Sequence, residues 1–411
     1  MISRRETLLS MAGAPAALAA GAASAQAPTP EAVRPLSRAD FEVSGAYFNN
    51  ASMHPIPLKS AAAIRAFTAS RIDPTIDLPS PDARGLFATL INATPAEIAF
   101  IPSTTYGENL VLDTLGLKQT AASSRIVTDV LHFDGSLYMY QELARRGLDV
   151  AVLKMTADGR VDLNQLESAL GGDRSGTQLV AISLVSMVNG FEHDLRAVCE
   201  IAHRKGALVY VDAIQAAGAV PIDVRASGVD FLAAGTFKWL MGDFGFGFLY
   251  VRKDVLTRLR RDEFGFRQFG DFNYHLFATD PPSTKPFDVA PDNNTATGYF
   301  EIGTLGLAAK CAAATSIEAL LATGVEEIQR RRQPLIETIR SQLTKRYQPL
   351  TPSDSKSSII SFALKDADAK LTTRLKTTGV TIALYSDRFR ISPSVYNSQG
   401  DVERMLDVLL S

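Results

Sequence analysis

A chain of 411 residues, 46% hydrophobic and 21% charged, can bury a large core and is expected to divide into about two domains. Its 42 Lys and Arg against 44 Asp and Glu leave a net charge of -2, which supplies no general field for nucleic acid or an anionic membrane; any partner is recognised locally. Two cysteines without framework spacing and five histidines without ligand spacing argue against a disulfide scaffold and predict no metal site, and Cys199 and Cys311 read as buried free thiols.

The chain opens with "MISRRETLLSMAGAPAALAAGAASAQA" (1–27), which pairs Arg4 and Arg5, continues with an Ala-rich apolar segment and ends in small residues. That order predicts an export signal of the twin-arginine type, cleaved after Ala25 or Ala27, and a periplasmic or secreted product. Residues 28–60 are expected to pack with a small C-terminal domain, 61–295 to form a large domain and 296–411 the small one. From residue 96 the elements alternate: strand 96–103, helix 104–117, strand 124–130, helix 136–147, strand 149–155, strand 179–185, helix 194–206, strand 207–213, strand 231–236 and strand 245–251. Val/Leu/Ile-rich strands alternating with helices predict an α/β fold whose mainly parallel sheet is covered on both faces.

The stretch 260–297, rich in Phe, Asp, Pro and Asn, reads as a loop that could cover a site. Beyond it come helices 306–324 and 325–346, strands 357–364 and 380–392 and a last helix 400–411, the makings of a smaller α+β domain. No later segment is apolar for long enough to span a bilayer.

Ligands in parallel sheets gather beyond the carboxyl ends of the strands, and four features fall there. They are Asp212 and Gln215 in "YVDAIQ", Lys238 in "GTFKWLMG", "STTYGEN" (103–109) and His132 in "TDVLHFDG". A lysine between Phe237 and Trp239 could simply snorkel, but a carboxylate at the end of a central strand demands a cation, supplied by a neighbouring lysine or by a cationic cofactor nitrogen.

"YVDAIQAAG", followed by Lys238 in "GTFKWLMGDFGFGFLYVRKD", resembles the class V aminotransferases of fold type I, which use pyridoxal 5'-phosphate (PLP). "YFNNASMHPIP" (47–57), "STTYGEN", "SLVSMVNGFEHDL" (183–195), "FEIGT" (300–304) and "RISPSVYNSQGDVERML" (390–406) extend the resemblance over nearly the whole chain after the signal. It implies a fold type I transferase fold with a PLP-binding large domain. Lys238 would form the Schiff base with the PLP aldehyde, its amine kept neutral by burial, and Asp212 would pair with the pyridine nitrogen. Gln215 would bond the ring hydroxyl, the short Ala213 would let the ring lie flat, and His132 would stack over the other face. Thr104 and Thr105, opening a helix, and the Thr236 hydroxyl would hold the phosphate; Thr304 would reach in from the second subunit of a homodimer with shared sites. Asn189 falls in the strand at the ring edge. Asn50 and Arg390 would bind substrate, Arg390 by gripping its carboxylate.

The sequence also departs from the cysteine desulfurases of this family. Gly235, Thr236 and Phe237 precede Lys238 where those enzymes carry Ser-x-His, and residues 350–390 hold no cysteine to serve as nucleophile, which argues against sulfur transfer through a persulfide. The pattern Ser-x-Val-x-x-x-Asn-Gly-Phe-x-x-Asp-Leu is more similar to the isopenicillin-N-epimerase-like or selenocysteine-lyase-like subgroup. The expectation is a PLP enzyme acting at Cα of an amino acid, with transamination ahead of Cβ elimination and epimerisation. A non-catalytic PLP-binding protein is the alternative, and the glycines of "GDFGFGF" make only a weak case for a nucleotide-dependent oxidoreductase.

Overall fold

Runs such as "LVAIS" and "LVYVD" carry no polar alternation because both faces of their strands are covered, and the computed structural model shows how. It describes residues 34–77, 79–119, 124–171 and 178–411; the expected signal over 1–27 and its cleavage sites lie outside them. After β1 (Ala46–Tyr47), the central sheet is built from β2 (Ile98–Ile101), β3 (Arg125–Asp129), β4 (Asp149–Leu153), β5 (Gln178–Ser183), β6 (Leu208–Asp212), β7 (Phe231–Gly235) and β8 (Gly247–Val251). Their order is β2-β8-β7-β6-β5-β3-β4, with only β8 antiparallel to its neighbours. Alternate residues enter separate cores. Val127, Val180, Val209, Val211 and Leu232 face one side, and Ile126, Leu179, Leu208, Tyr210 and Phe231 the other. Helices Thr104–Thr114 and Asp134–Arg145 cover the second face, while Ala83–Leu90, Leu195–Arg204 and Leu307–Thr323 cover the first.

The helix Leu307–Thr323 packs with the larger core. Its sequence places it after the boundary at 295, yet Ala309, Ala313, Ile317 and Leu320 belong to the larger core and the helix packs on Leu58–Ile72 and Ala83–Leu90. It is buried on several sides, as a helix that is apolar all round requires. The stretch 260–297 is likewise more ordered than a loop: β9 (Phe269–Tyr274) and β10 (Phe287–Pro291) pair as an antiparallel hairpin. Both faces of this hairpin are largely exposed, so no hydrophobic alternation marks it in the sequence.

Toward the C-terminus, β11 (Gln348–Pro349), β12 (Ile360–Ala363), β13 (Val380–Thr381), β14 (Ala383–Leu384) and β15 (Arg388–Ile391) follow, so the expected strand 380–392 is three short pieces. Four of them form an antiparallel sheet, β11-β12-β15-β14, and β13 pairs in parallel with β1. The N-terminal segment thereby joins this layer: Phe48 N–H donates to Thr381 O at 2.7 Å, and Ser392 N–H donates to Phe48 O at 2.7 Å. Phe48 is wholly buried among Ile336, Ile339, Phe389 and Met405. Among the described residues no helix is long and apolar enough to cross a membrane. Phe48→Ala is expected to cost about 3–5 kcal/mol of stability, read as a lower urea midpoint, because the cavity lies in a well-packed cluster; a shift below about 1 kcal/mol would show that the segment contributes no anchoring contact.

Candidate active site

The parallel register sets Ser183 of β5, Asp212 of β6 and Ala233 of β7 side by side at the carboxyl edge of the sheet. Past Gly235 the chain cannot continue as a strand, because residues 236–240 turn, and Met241 N–H closes the turn onto Lys238 O at 2.8 Å. Met241 adopts φ 56, a left-handed conformation unusual for a residue with a side chain. Beside it, a Cβ on Gly242 would lie 2.8 Å from the Thr236 Cβ, so only glycine fits. This tight corner directs Lys238 back over the sheet edge.

Lys238 Nζ lies 5.6 Å from the centre of the Phe237 ring, itself stacked on Phe244. Burial lowers the amine to about 8, helped by the Arg390 guanidinium and opposed by Asp212 and Asp134. Asp212 is withdrawn from water, which pushes its carboxyl above the ordinary range; the His132 and Lys238 charges and the Ile214 N–H, 2.9 Å from Oδ1, pull it back only in part. These opposed shifts within one cluster are the mark of a site built for proton transfer or charge pairing.

Arg390, on β15, completes the cluster from the small sheet. Its Nη1 donates to Met187 O at 2.9 Å and its Nη2 to Ser52 Oγ at 2.7 Å, while its Nε has no partner among the described residues. The guanidinium is 2% exposed and pairs with no carboxylate among the described residues, and burial lowers its pKa. A buried cation so placed is costly unless an anion arrives.

The third wall is the start of the helix Thr104–Thr114. Ser103 caps it by accepting from Tyr106 N–H at 3.2 Å, which leaves the Thr104 and Thr105 N–H groups with no described protein acceptor at the positive end of an eleven-residue helix. Such an end holds a phosphate without further help.

His132 lies buried beside Asp212, and four other expected residues are hydrogen-bonded outside this cluster. Gln215 donates from Nε2 to Ala51 O at 2.8 Å and accepts at Oε1 from Trp239 Nε1 at 2.9 Å, so it ties the N-terminal segment to the lysine turn while its amide keeps a second Nε2 hydrogen for another acceptor. Thr236 is fully buried, and its one hydroxyl hydrogen is shared between Asp243 O at 2.6 Å and Phe246 O at 2.9 Å. Asn189 donates to Gly159 O at 2.7 Å and accepts from Phe191 N–H at 3.0 Å, closing a turn. Asn50 donates to Ser392 O at 2.7 Å and accepts from the Tyr396 hydroxyl at 2.6 Å, pinning the N-terminal segment to the small sheet. Thr304 is exposed, and no hydrogen bond joins it to the cluster among the described residues.

Reasoning from motifs passed over Glu108, which is 2% exposed and receives hydrogen bonds from His132, Ser136 and Tyr140. The signal was present: Thr104, Gly107, Glu108 and Val111 share one buried helical face, and an acid there needs donors. Asp129 was also missed; it ends β3 and sits 3.2 Å from His193 Nε2. No group able to hold a metal ion occurs among the described residues. Cys199 and Cys311 are free and buried, and burial pushes the Cys199 thiol up to about 12, far from a reactive thiolate.

A mainly parallel sheet with a buried lysine, a buried aspartate and an open helix end at its carboxyl edge defines the fold type I class. The chain belongs to the class V aminotransferase family: the family profile described as Aminotransferase class-V matches residues 79–405. It is 38% identical over 178 residues to an uncharacterized aminotransferase of Bacillus subtilis, YcbU, covering 43% of this chain and 46% of that protein. It is 31% identical over 261 residues to a probable cysteine desulfurase of Methanothermobacter thermautotrophicus, covering 63% of this chain and 60% of that one. The chain thus spans about half the length of these curated relatives. Among solved structures, the apo cysteine desulfurase of Thermococcus onnurineus NA1 superimposes with a TM-score of 0.75 at 23% identity, over 89% of this chain and 94% of the other, a likeness of fold.

The lowered Lys238 amine sets a pH dependence. Its neutral form, the one able to attack an aldehyde, is half populated at about 8. The rate at which the cofactor-free protein bonds covalently to PLP is therefore expected to rise with pH and level off above about 8, followed by absorbance. A rate still climbing toward the ordinary lysine value, about 10.4, would show that the amine is not depressed.

Proposed function

We propose that this chain is a PLP-dependent enzyme acting at the Cα amino group of an amino acid, with transamination as its reaction. The observation that carries the reading is the buried Lys238 amine, held within the fields of Asp212 on one side and Arg390 on the other. The residues present fit PLP. The unpaired N–H groups of Thr104 and Thr105 suit a phosphate, Asp212 suits a protonated ring nitrogen, and Lys238 suits an aldehyde. When bound, PLP supplies that aldehyde and a ring that stabilises negative charge at Cα.

The chain's own residues divide the remaining work. Arg390 presents its unpartnered Nε, and the hydrogens its two bonds leave free, to the substrate carboxylate; with Ser52 and Met187 O fixing the fork, the amino acid has one orientation. Lys238 Nζ, free of hydrogen bonds among the described residues and near neutrality, takes the Cα proton and can return it elsewhere on the substrate. The Phe237 ring, stacked on Phe244, flanks the amine on one side.

A second reading, Cβ–S or Cβ–Se lysis, is favoured by the cysteine desulfurase relatives. On this scaffold the product would leave freely, since Cys199 and Cys311 are buried in helices and residues 350–390 contain no cysteine to carry a persulfide. A homodimer whose partner lends Thr304 to the phosphate, and export through the signal at Arg4 and Arg5, belong to the same proposal.

Incubating the purified holoenzyme with single amino acids and a 2-oxo acid tests it. Transamination yields a second amino acid in step with a new 2-oxo acid; release of sulfide or ammonia with pyruvate would establish lysis, and PLP uptake without turnover of any amino acid would establish a binding protein. Arg390→Lys is expected to raise KM roughly 10- to 100-fold, since the planar two-bond grip on the carboxylate is lost, while PLP attachment is unchanged. An unchanged KM would remove Arg390 from the substrate site.

A further inference from the structure

Behind Asp212 lies a buried polar cluster that the reaction above does not use. Glu108 accepts from Ser136 Oγ at 2.5 Å, from the Tyr140 hydroxyl and from His132 Nε2 at 3.1 Å. A carboxylate surrounded by donors fixes a hydrogen on Nε2. The other ring nitrogen, Nδ1, lies 2.8 Å from Ser183 Oγ, a hydroxyl that can give or take a hydrogen, so local geometry permits either a neutral ring or an imidazolium.

Charge decides between them. His132 is faced by Glu108 from the helix Thr104–Thr114, by Asp212 from β6, by Asp129 from β3 and by the Tyr140 hydroxyl from the helix Asp134–Arg145. The basic groups among these acids are the His193 ring, beside Asp129, and the Lys238 amine, beside Asp212. A neutral His132 would leave three buried carboxylates short of positive charge, an arrangement whose desolvation cost is large.

We propose that Glu108 is a positioning residue acting through His132: it fixes the ring as an imidazolium, and this buried cation keeps Asp212 ionised, so that the sheet edge is charged for a cationic ring nitrogen before one arrives. The last step rests on the PLP reading above. Burial works against a charged His132, but the charge and hydrogen bond of Glu108, with Asp212 and Asp129, carry its pKa upward. For Asp212, the His132 cation is the foremost effect opposing burial. Glu108 also repels Asp212 directly, a smaller influence than the cation it sustains.

Nitrogen NMR of histidine-labelled, cofactor-free protein tests this, with His132→Asn identifying the signal. In the wild-type chain at neutral pH both His132 ring nitrogens are expected to carry hydrogen. Glu108→Gln keeps the shape and most acceptor capacity but not the charge; there Nδ1 is expected to lose its hydrogen, and affinity for PLP to fall about tenfold, the equivalent of one pKa unit of coupling. Glu108→Asp, which keeps the charge, is expected to restore part of that affinity, which a purely packing role would not produce. A neutral His132 ring in the wild type overturns the proposal, even where Glu108→Gln fails to fold. So does a Glu108→Gln protein that keeps the imidazolium and binds PLP as tightly as before. A wild-type chain that takes up no PLP overturns the functional reading and the proposal's last step, whereas the ring signal judges the action of Glu108 on His132 separately.

Discussion

A carboxylate withdrawn from water at the end of a central strand is the constraint from which this site follows. Asp212 is 4% exposed, and burial pushes its carboxyl above the ordinary range. Three parallel strands converge there, so its neighbours are set by register: Ser183 on one side, Ala233 on the other and the lysine turn just beyond. Basic groups are therefore brought to it from two directions, His132 from the β3 edge and the Lys238 amine from β7. The same low-dielectric setting that strains Asp212 lowers Lys238, so one act of burial prepares an acceptor of positive charge and a neutral nucleophile together.

Arg390 comes from a different layer, and the fold does much to place it. The N-terminal segment crosses from the small sheet to the large domain. Phe48 and Asn50 pin it at one end, while Ala51, His54 and Ser52 meet Gln215, Phe237 and Arg390 at the other. That strap explains the wide spread of the site along the sequence, from residue 52 to residue 390. It also explains why Gln215 and Asn50 are engaged in bonds that hold the walls in register.

What could be read in the sequence was what periodicity and charge make conspicuous. The strands around β5 to β7 are apolar runs, and Asp212 and Lys238 stand out because each interrupts one. The helix opening at Thr104 was legible for the same reason, as a polar feature at an element end, whereas Arg390 was marked only by the resemblance of its motif. Motif matching gave the residue type at Asn50, Asn189, Gln215 and Thr236, but the direction of an amide or hydroxyl depends on partners more than a hundred residues away, or on a turn such as 236–246. Glu108 lay inside a quoted motif and was passed over because its three partners come from a single later stretch, 132–140, that only the folded chain brings near. The hairpin β9–β10, exposed on both faces, carries no buried stripe and so no pattern to read.

The central claim is that Lys238, and no other amine, is the group this sheet edge presents to an aldehyde. Borohydride reduction of the purified protein after loading with PLP, followed by peptide mass spectrometry, tests it most directly. The account predicts one phosphopyridoxyl group per chain, on the peptide containing Lys238. A label spread over surface lysines, or none at the GTFKWLMG segment, would contradict it.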